Sequence, residues 1–330
     1  MNATRGVGEF DLIERLASRL EPLESGLGIG DDAAAWTPEP GRLVVATTDM
    51  LVEGIHFRLD WTSARDLGWK ALAVNLSDLA AMGAVPGRAL VSIALLPSQA
   101  DLAEQLYDGI AELARITGTR VVGGDTVRTP GPLVVNVALV GEADPERLLR
   151  RGGARPGDLL VVSGTVGASA AGLALLVAGD SAVLARPEAV PLLAAHHRPW
   201  PQLALGAALA GAGVHCAIDI SDGVASEAWH LARASGVEIE VDLDRLPLSG
   251  EAVALLGSAR ARELALTGGE DYQLLFTAPE AMLAAVESAL PPDVRLGVIG
   301  RVTTAREGEA VRFLEAGSPI DIPEAGYVAF

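Results

Sequence analysis

The sequence predicts two α+β domains, each built on a mixed or antiparallel sheet covered by helices. Three observations lead there. The chain has 330 residues, more than one ordinary hydrophobic core serves. Strand-like and helix-like runs alternate in both halves, separated by tight glycine turns. A polar stretch at 141–158, carrying Pro145, Gly152, Gly153, Pro156 and Gly157, interrupts them once. That stretch sets the expected domains at 1–145 and 146–330.

In the first half, residues 8–20 have amphipathic helix spacing, with Leu12, Leu16 and Leu20 on one side and Glu14 and Arg15 outside. Residues 26–35, GLGIGDDAAA, read as a glycine-rich turn. Residues 43–48 read as a short strand that ends at Asp49. A helix over 63–82 follows. Its Leu67, Ala71, Val74 and Asp78 fall at i, i+4, i+7 and i+11 on one face, and its small residues (Ala71, Ala73, Ala80, Ala81) let other backbone approach closely. Strand 89–96 and helix 99–117 come next, then strand 120–122 running into GGDT at 123–126, then strand 133–140.

The second half repeats the mixture. Strand 159–162 precedes helices near 168–178, 187–196 and 201–210. Strand 215–220 leads into Ser221-Asp222-Gly223 and helix 224–234. Strand 237–243, the turn TGGED at 267–271, strand 272–277, helix 279–290 and strand 294–299 complete it. Residues 159–179 carry no charge and are long enough to span a bilayer. Their interior, SGTVGASAAG, is turn-prone, so strand, glycine turn and helix is the reading. A helix N-terminus there is a candidate anion site, with close strand–helix packing as the plainer explanation.

Composition narrows the function. The formal charge is −18, from 25 basic and 43 acidic residues, which disfavours nucleic acid or anionic membrane as a general partner. Phosphorylated small molecules remain open where divalent cations mediate. Cys216 is the one cysteine, so neither a disulfide framework nor a Cys-rich zinc site is expected. The N-terminal residues lack the pattern of a secretory signal, and a cytoplasmic protein is expected.

Five acidic segments recur at strand ends or glycine turns, Asp31-Asp32, Asp49, Asp125, Asp219 with Asp222, and Glu270-Asp271, and Asp78 on the 63–82 helix makes a sixth. Each alone is more simply explained as a turn former. Converging, they could not stand bare, since two unit charges about 4 Å apart repel by roughly 4 kcal/mol at an effective dielectric of 20. Oxygen ligands without His or Cys pairs point to Mg²⁺ or Mn²⁺, and the hydroxyls of Thr47 and Thr48 are further candidates. Mg²⁺ in turn suggests a phosphate-bearing substrate. No P-loop sequence and no kinase-type catalytic loop occurs, so a nucleotide would be held by metal, by glycine-loop amides such as Gly123-Gly124, and by scattered side chains. His56, in the loop after Asp49, is a candidate substrate contact. The other histidines have no such neighbours in sequence. Arg150 and Arg151 are either surface charges or phosphate contacts.

In chain order, GEFDLI, GIGDDAA, TTDMLVEGIHF, KALAVNLSDLAAMGA, VVGGDT, RRGGARPGD, GTVGASAAGL, DISDG and LTGGEDYQLLF resemble the motifs of the bacterial thiamine-monophosphate kinase family, over residues 8–327. The resemblance implies the fold shared with aminoimidazole-ribonucleotide synthetase, selenophosphate synthetase and the hydrogenase-maturation dehydratase. It implies a homodimer paired through its N-terminal sheets, with ATP near that interface. The implied reaction is ATP plus thiamine monophosphate giving thiamine diphosphate and ADP. By position it makes Asp32, Thr47, Thr48, Asp49, Asp78, Asp125, Asp219 and Asp222 magnesium ligands, with turnover resting on Asp49, Asp78, Asp125 and Asp219. Tyr107, Gly124, Asp125, Arg151 and Ser221 would contact ATP, and His56 and Glu270 the thiamine phosphate. Tyr327 would stack on the thiamine ring. The family commonly ends in Gly, an aromatic, any residue, His, Phe, whereas this chain ends Gly326-Tyr327-Val328-Ala329-Phe330 and lacks that His.

Two rival readings differ in class. Another ATP-dependent synthetase of the same fold is one, although selenophosphate chemistry would want a reactive cysteine early in the chain. A non-catalytic Mg-nucleotide sensor is the other, although a homologue that had lost catalysis should have shed some of these carboxylates.

Overall fold

A computed structural model describes residues 9–23, 25–30, 32–292, 294–305 and 310–322. The chain divides into two compact units, Met1–Leu79 with Val85–Glu142, and Ala80–Ala84 with Ala143–Phe330. Inclusion of the short run Ala80–Ala84 in the second unit is marked by no shift in composition.

The first unit contains α1 (Glu9–Ala17), β1 (Leu43–Val52), α2 (Ala64–Ala81), β2 (Val85–Leu95), α3 (Ala100–Thr117), β3 (Arg120–Arg128) and β4 (Val134–Ala143). Its sheet runs β1-β4-β2-β3. β2 is antiparallel to β4 and parallel to β3. Alternation sends Val91, Ile93, Val135, Val137 and Leu139 into the core, against the helical side. The α2 segment is buried all round rather than on one face, which is why its single-stripe periodicity understates it. Two glycines set the helix pair: a Cβ at Gly68 would lie 1.9 Å from the Leu106 carbonyl oxygen, and one at Gly109 would lie 1.8 Å from that of Arg65. Backbone contact between α2 and α3 therefore requires glycine at both.

Two expectations change here. Asp49 is not at a strand end, because β1 continues to Val52. The GGDT segment is not a turn, because it lies inside β3, with Gly123 to Thr126 paired to Leu90 to Ile93 after a bulge. In both places polar or glycine residues that signal loops are held in a ladder by the neighbouring strand.

The second unit contains β5 (Leu159–Ser163), α4 (Ala168–Ala178), α5 (Ser181–Leu184), α6 (Ala189–His197), α7 (Leu203–Ala212), β6 (Cys216–Asp219), α8 (Val224–Ser235), β7 (Glu238–Asp242), α9 (Gly250–Leu256), α10 (Ser258–Thr267), β8 (Leu274–Ala278), α11 (Glu280–Ser288), β9 (Leu296–Thr303), β10 (Val311–Glu315) and β11 (Ser318–Ile320). Its seven strands order as β11-β10-β7-β9-β5-β8-β6. Only β10 and β7 pair in parallel; the other neighbours are antiparallel. One apolar cluster joins β5, β6, β7 and α8 through Val162, Ile218, Ile239, Leu231 and Val224. Glu238 and Glu240 of β7 are buried yet paired, with Arg312 and Arg301 of the flanking strands, as buried carboxylates must be. Residues 159–179 form β5, a turn and α4, and no described helix is long and apolar enough to cross a membrane. The sequence reading left out α5, α9, α10, β10 and β11. All but α10 are seven residues or shorter, too short for periodicity to register.

Candidate active site

In the first unit a cavity of about 1040 Å³ opens at the free edge of β3. Gly28, Gly30 and Asp32 form one wall, Gly123 to Asp125 another, and Tyr107 of α3 a third. The β3 wall is bare backbone by necessity, since a Cβ at Gly124 would lie 1.7 Å from the Val91 carbonyl oxygen. Burial pushes the Tyr107 hydroxyl well above its ordinary pKa, so it stays neutral. The described lining residues include Asp32 and Asp125 but no Lys or Arg. An anionic ligand would meet amides here, and would need cations to face the carboxylates.

Strand alternation divides the β1 residues between two faces. Thr47 and Asp49 turn to the α2 side, where the Thr47 hydroxyl donates to Asp78. Burial first, and the Asp78 charge second, push the Asp49 carboxyl up to about 6. Thr48 turns the other way. The Asn136 side chain donates both to the Thr48 hydroxyl at 3.0 Å and to the Asp49 carbonyl oxygen at 3.0 Å. Asn136 pairs with Ser92, and Ser92 with Asp125. Thr48, Asn136, Ser92 and Asp125 thus make a polar row across all four strands of the outer face. Adjacent hydroxyls in sequence therefore belong to different groups: Thr47 to Asp49 and Asp78, Thr48 to the row that ends at Asp125. His56 sits in the turn after β1, its Nδ1 accepting from the Val52 N–H at 3.1 Å. That bond leaves Nε2 as the protonated nitrogen of the neutral ring.

In the second unit, two loops leave the same end of neighbouring strands β6 and β8, whose residues Asp219 and Leu274 are register partners. The Glu270 N–H donates to the Ser221 carbonyl at 2.8 Å, and the Tyr272 N–H to that of Ile220 at 2.9 Å. A Cβ at Gly269 would lie 2.0 Å from the Ser221 oxygen, so this glycine of TGGED serves loop-to-loop contact. Asp219, Ser221, Asp222 and Glu270 come together in this way. Beneath them lies Glu227 of α8, whose Oε1 accepts from the Asp222 N–H at 2.9 Å and the Ser221 N–H at 3.3 Å. Its Oε2 is buried without a hydrogen-bond partner, and burial is the first cause that pushes its pKa up to about 8. Asp271 points the other way, accepting from the Gly167 and Ser169 N–H groups at 2.6 and 3.1 Å. It caps α4 and fills the helix N-terminus considered above as an anion site. Glu270 and Tyr272 both hold left-handed backbone, at φ 68° and 48°.

The chain matches the N-terminal domain of AIR synthase related proteins over residues 30–143 and their C-terminal domain over 155–312. It is 39% identical over 329 residues to the thiamine-monophosphate kinase of Salmonella typhimurium, covering 98% of each chain. The chain belongs to the thiamine-monophosphate kinase family. The crystal structure of thiamine-monophosphate kinase from Stenotrophomonas maltophilia superposes with a TM-score of 0.82 at 39% identity, covering 93% of this chain and 96% of that one. AaThiL complexed with AMPPCP and TMP superposes at 0.77 with 35% identity, covering 100% and 99%.

Against the residues the kinase resemblance pointed to, Asp32, Tyr107, Gly124 and Asp125 line one cavity. Thr47, Asp49 and Asp78 form a second group, and Asp219, Ser221, Asp222 and Glu270 a third in the other unit. Arg151 is exposed beside β6, where its carbonyl lies 3.4 Å from the Cys216 sulfur. Tyr327, with the rest of the departing C-terminus, lies outside the described residues, as does Asp31. Sequence reasoning missed Glu227, Asn136, Trp36 and His196. Trp36 lines the nucleotide-sized cavity under the Arg88 guanidinium. An acid five residues past Asp222, at the start of a helix, was a local signal for Glu227. Nothing local marks His196.

Proposed function

We propose that this chain transfers the γ-phosphoryl group of ATP to the phosphate of thiamine monophosphate, giving thiamine diphosphate and ADP. The observation that carries the reading is the end-to-end match to a family member solved with AMPPCP and TMP. The cavity at the β3 edge suits the nucleotide: its volume falls near the upper range of small-molecule sites, and its glycine backbone and neutral Tyr107 offer donors. The kinase resemblance adds Arg151 and Ser221 as ATP contacts.

Mg²⁺ fits the donor sets. Asp49 and Asp78 repel each other in a buried setting beside the Thr47 hydroxyl, a demand that a hard cation answers. Asp32, Thr48 and Asp125 offer oxygens in the first unit, and Asp219 and Asp222 in the second. Among the described residues no three His, Cys, Asp or Glu side chains cluster tightly enough to hold a metal alone. Mg²⁺ keeps waters and takes ligands from substrate phosphates. When bound, Mg²⁺ neutralises the donor and acceptor phosphates so that two anions can approach.

The residues of this chain do the rest by position. The acceptor is a phosphate monoester with a second pKa of about 6, mostly dianionic at neutral pH, so the attacking oxygen needs no base. His56 and Glu270 hold the acceptor, and transfer is direct and in line, without a phosphoenzyme. The same reading makes the protein a homodimer. Val44, Met50, Leu90 and Val127 are exposed on the outer face of the four-stranded sheet, an apolar surface of the kind a partner covers. A cytoplasmic location is part of the same proposal.

The test is a product assay with ATP, Mg²⁺ and thiamine monophosphate, with free thiamine and EDTA controls. Equimolar thiamine diphosphate and ADP, abolished by EDTA, is the expected result. ADP without thiamine diphosphate would send the assignment to another synthetase of this fold. ATP binding without any ADP would make the chain a sensor.

A further inference from the structure

We propose that Trp36 is the stacking platform for the base of the nucleotide, braced by Arg88, and that the cavity at the β3 edge runs from a base end to a phosphate end. The proposal deepens the reading of that cavity as the ATP site and rests on it. Trp36 directly follows Ala35, whose backbone exchanges two hydrogen bonds with Leu27, at 2.8 and 3.0 Å. A Cβ at Gly26 would lie 2.4 Å from the Ala35 carbonyl oxygen, so the two arms of this bridged turn touch through backbone. The indole leaves the chain at a fixed point and lines the cavity half-buried.

The Arg88 guanidinium lies over the indole, 5.0 Å from the ring centroid, within cation–π range. Its Nε is buried without a hydrogen-bond partner. Trp36 is among the described residues that line the cavity and Arg88 is not, so the guanidinium backs the ring rather than meeting the ligand. A ring that gives π density to a cation on one side stacks well on an electron-rich neutral base. A second cation, such as a thiazolium, would compete with Arg88 for the same density.

Strand register gives the cavity its direction. Arg88, Leu90 and Ser92 share the outer face of β2, and Leu90 and Ser92 line the cavity. Ser92 pairs with Asp125 of β3. The arginine end and the carboxylate end are thus four residues of strand apart, about 13 Å at the usual rise. That is comparable to the reach of an extended nucleotide from its base to its outer phosphates. The amides and carboxylate at Gly124 and Asp125 suit the phosphates with their cations, and the indole at the other end suits the base. His56 and Glu270, read above as acceptor contacts, are not among the described lining residues, so the ring serves the nucleotide rather than thiamine.

The experiment is calorimetric titration of the full chain with Mg–ADP, followed in parallel by tryptophan fluorescence. Trp36→Ala should raise the Kd about 10- to 100-fold, the range that loss of a base–aromatic stack gives. Trp36→Phe, which keeps a stacking face, should recover most of that loss and should lack the quench that Mg–ADP produces in the parent. Trp36→Leu, which keeps apolar bulk without a π face, should bind as poorly as Trp36→Ala. Arg88→Met should weaken binding by a smaller factor and add nothing to Trp36→Ala in the double variant. If Trp36→Ala does not fold, Trp36→Phe and Trp36→Leu carry the same comparison. A Kd for Trp36→Ala within about threefold of the parent would overturn the proposal. So would equal binding by Trp36→Phe and Trp36→Leu, or a quench unchanged in Trp36→Phe. A parent that binds Mg–ADP yet makes no thiamine diphosphate would leave this proposal standing and end the transfer reading. A parent that does not bind Mg–ADP would overturn both.

Discussion

Asp49→Asn should stabilise the metal-free protein and abolish its turnover. In the folded chain burial and the Asp78 charge push the Asp49 carboxyl from 3.8 up to about 6. A gap of about two pH units, at 1.36 kcal/mol each, makes the folded carboxylate cost about 3 kcal/mol once the pH lies above both values. Below about pH 4 the group is neutral folded or unfolded, and the cost vanishes. As the pH rises through about 6 the folded group is forced to ionise, and stability falls. An amide escapes this penalty. Urea unfolding in EDTA should therefore favour the Asn variant by up to about 3 kcal/mol near pH 7.5, with the difference closing toward pH 4. Mg²⁺ should narrow it from the other side, because the parent gains about 2.7 kcal/mol at a hundred times its Kd and the variant gains less. Turnover in the same buffers should drop at least about 100-fold. A variant no more stable than its parent near pH 7.5 in EDTA would refute the repulsion argument, and near-parental turnover would remove Asp49 from the mechanism.

Gly124→Ala should weaken ATP binding about tenfold or more, measured by calorimetry with Mg²⁺, because its Cβ would lie 1.7 Å from the Val91 carbonyl and the cavity wall must part from β2 to admit it. Glu227→Ala should raise the Mg²⁺ and ATP concentrations needed for half-maximal rate about tenfold, since the Ser221 and Asp222 amides lose their acceptor. Glu227→Gln, which keeps an acceptor oxygen, should recover most of that loss, and an equal loss in both variants would count against a positioning role. Met50→Lys places a charge in the exposed apolar face of the first sheet and should yield a folded monomer in sedimentation analysis. A dimer of unchanged affinity would locate the interface elsewhere.

The sequence disclosed the chemistry more fully than the geometry. Alternation along 43–52 already separates Thr47 and Asp49 from Thr48, but polar residues at 47–49 read as the end of a strand. They remain in the ladder because the site is built on the strand itself. Gly123-Gly124 reads as a turn for the same reason, and only pairing with Leu90 and Val91 reveals that Gly124 is trimmed for close backbone approach. The α2 stripe was visible, yet burial on every side was not, since neighbours supplied by α3 lie far along the chain. His196 and Glu270 meet because α4, α6 and the loop before β8 pack on one another. No local pattern encodes that meeting, so a residue set aside for want of sequence neighbours becomes a contact of Glu270.

The histidines show why this arrangement suits phosphate as an acceptor. His56 spends its Nδ1 on the Val52 amide, and His196 is buried against Glu270 and Ser169. Both are thus engaged as positioned contacts. A phosphate monoester arrives already deprotonated at neutral pH, so the remaining barrier is repulsion between two polyanions. The described cavity adds carboxylates and no Lys or Arg to that repulsion, an arrangement that would be self-defeating for bare phosphates. With cations bound it would become selective, because carboxylates that held metal would align the phosphates through it and disfavour any nucleotide that arrived without it. In the separate group on β1 and α2, the cost of ionising the buried Asp49 carboxyl beside Asp78 would then measure how strongly that pair favours a cation.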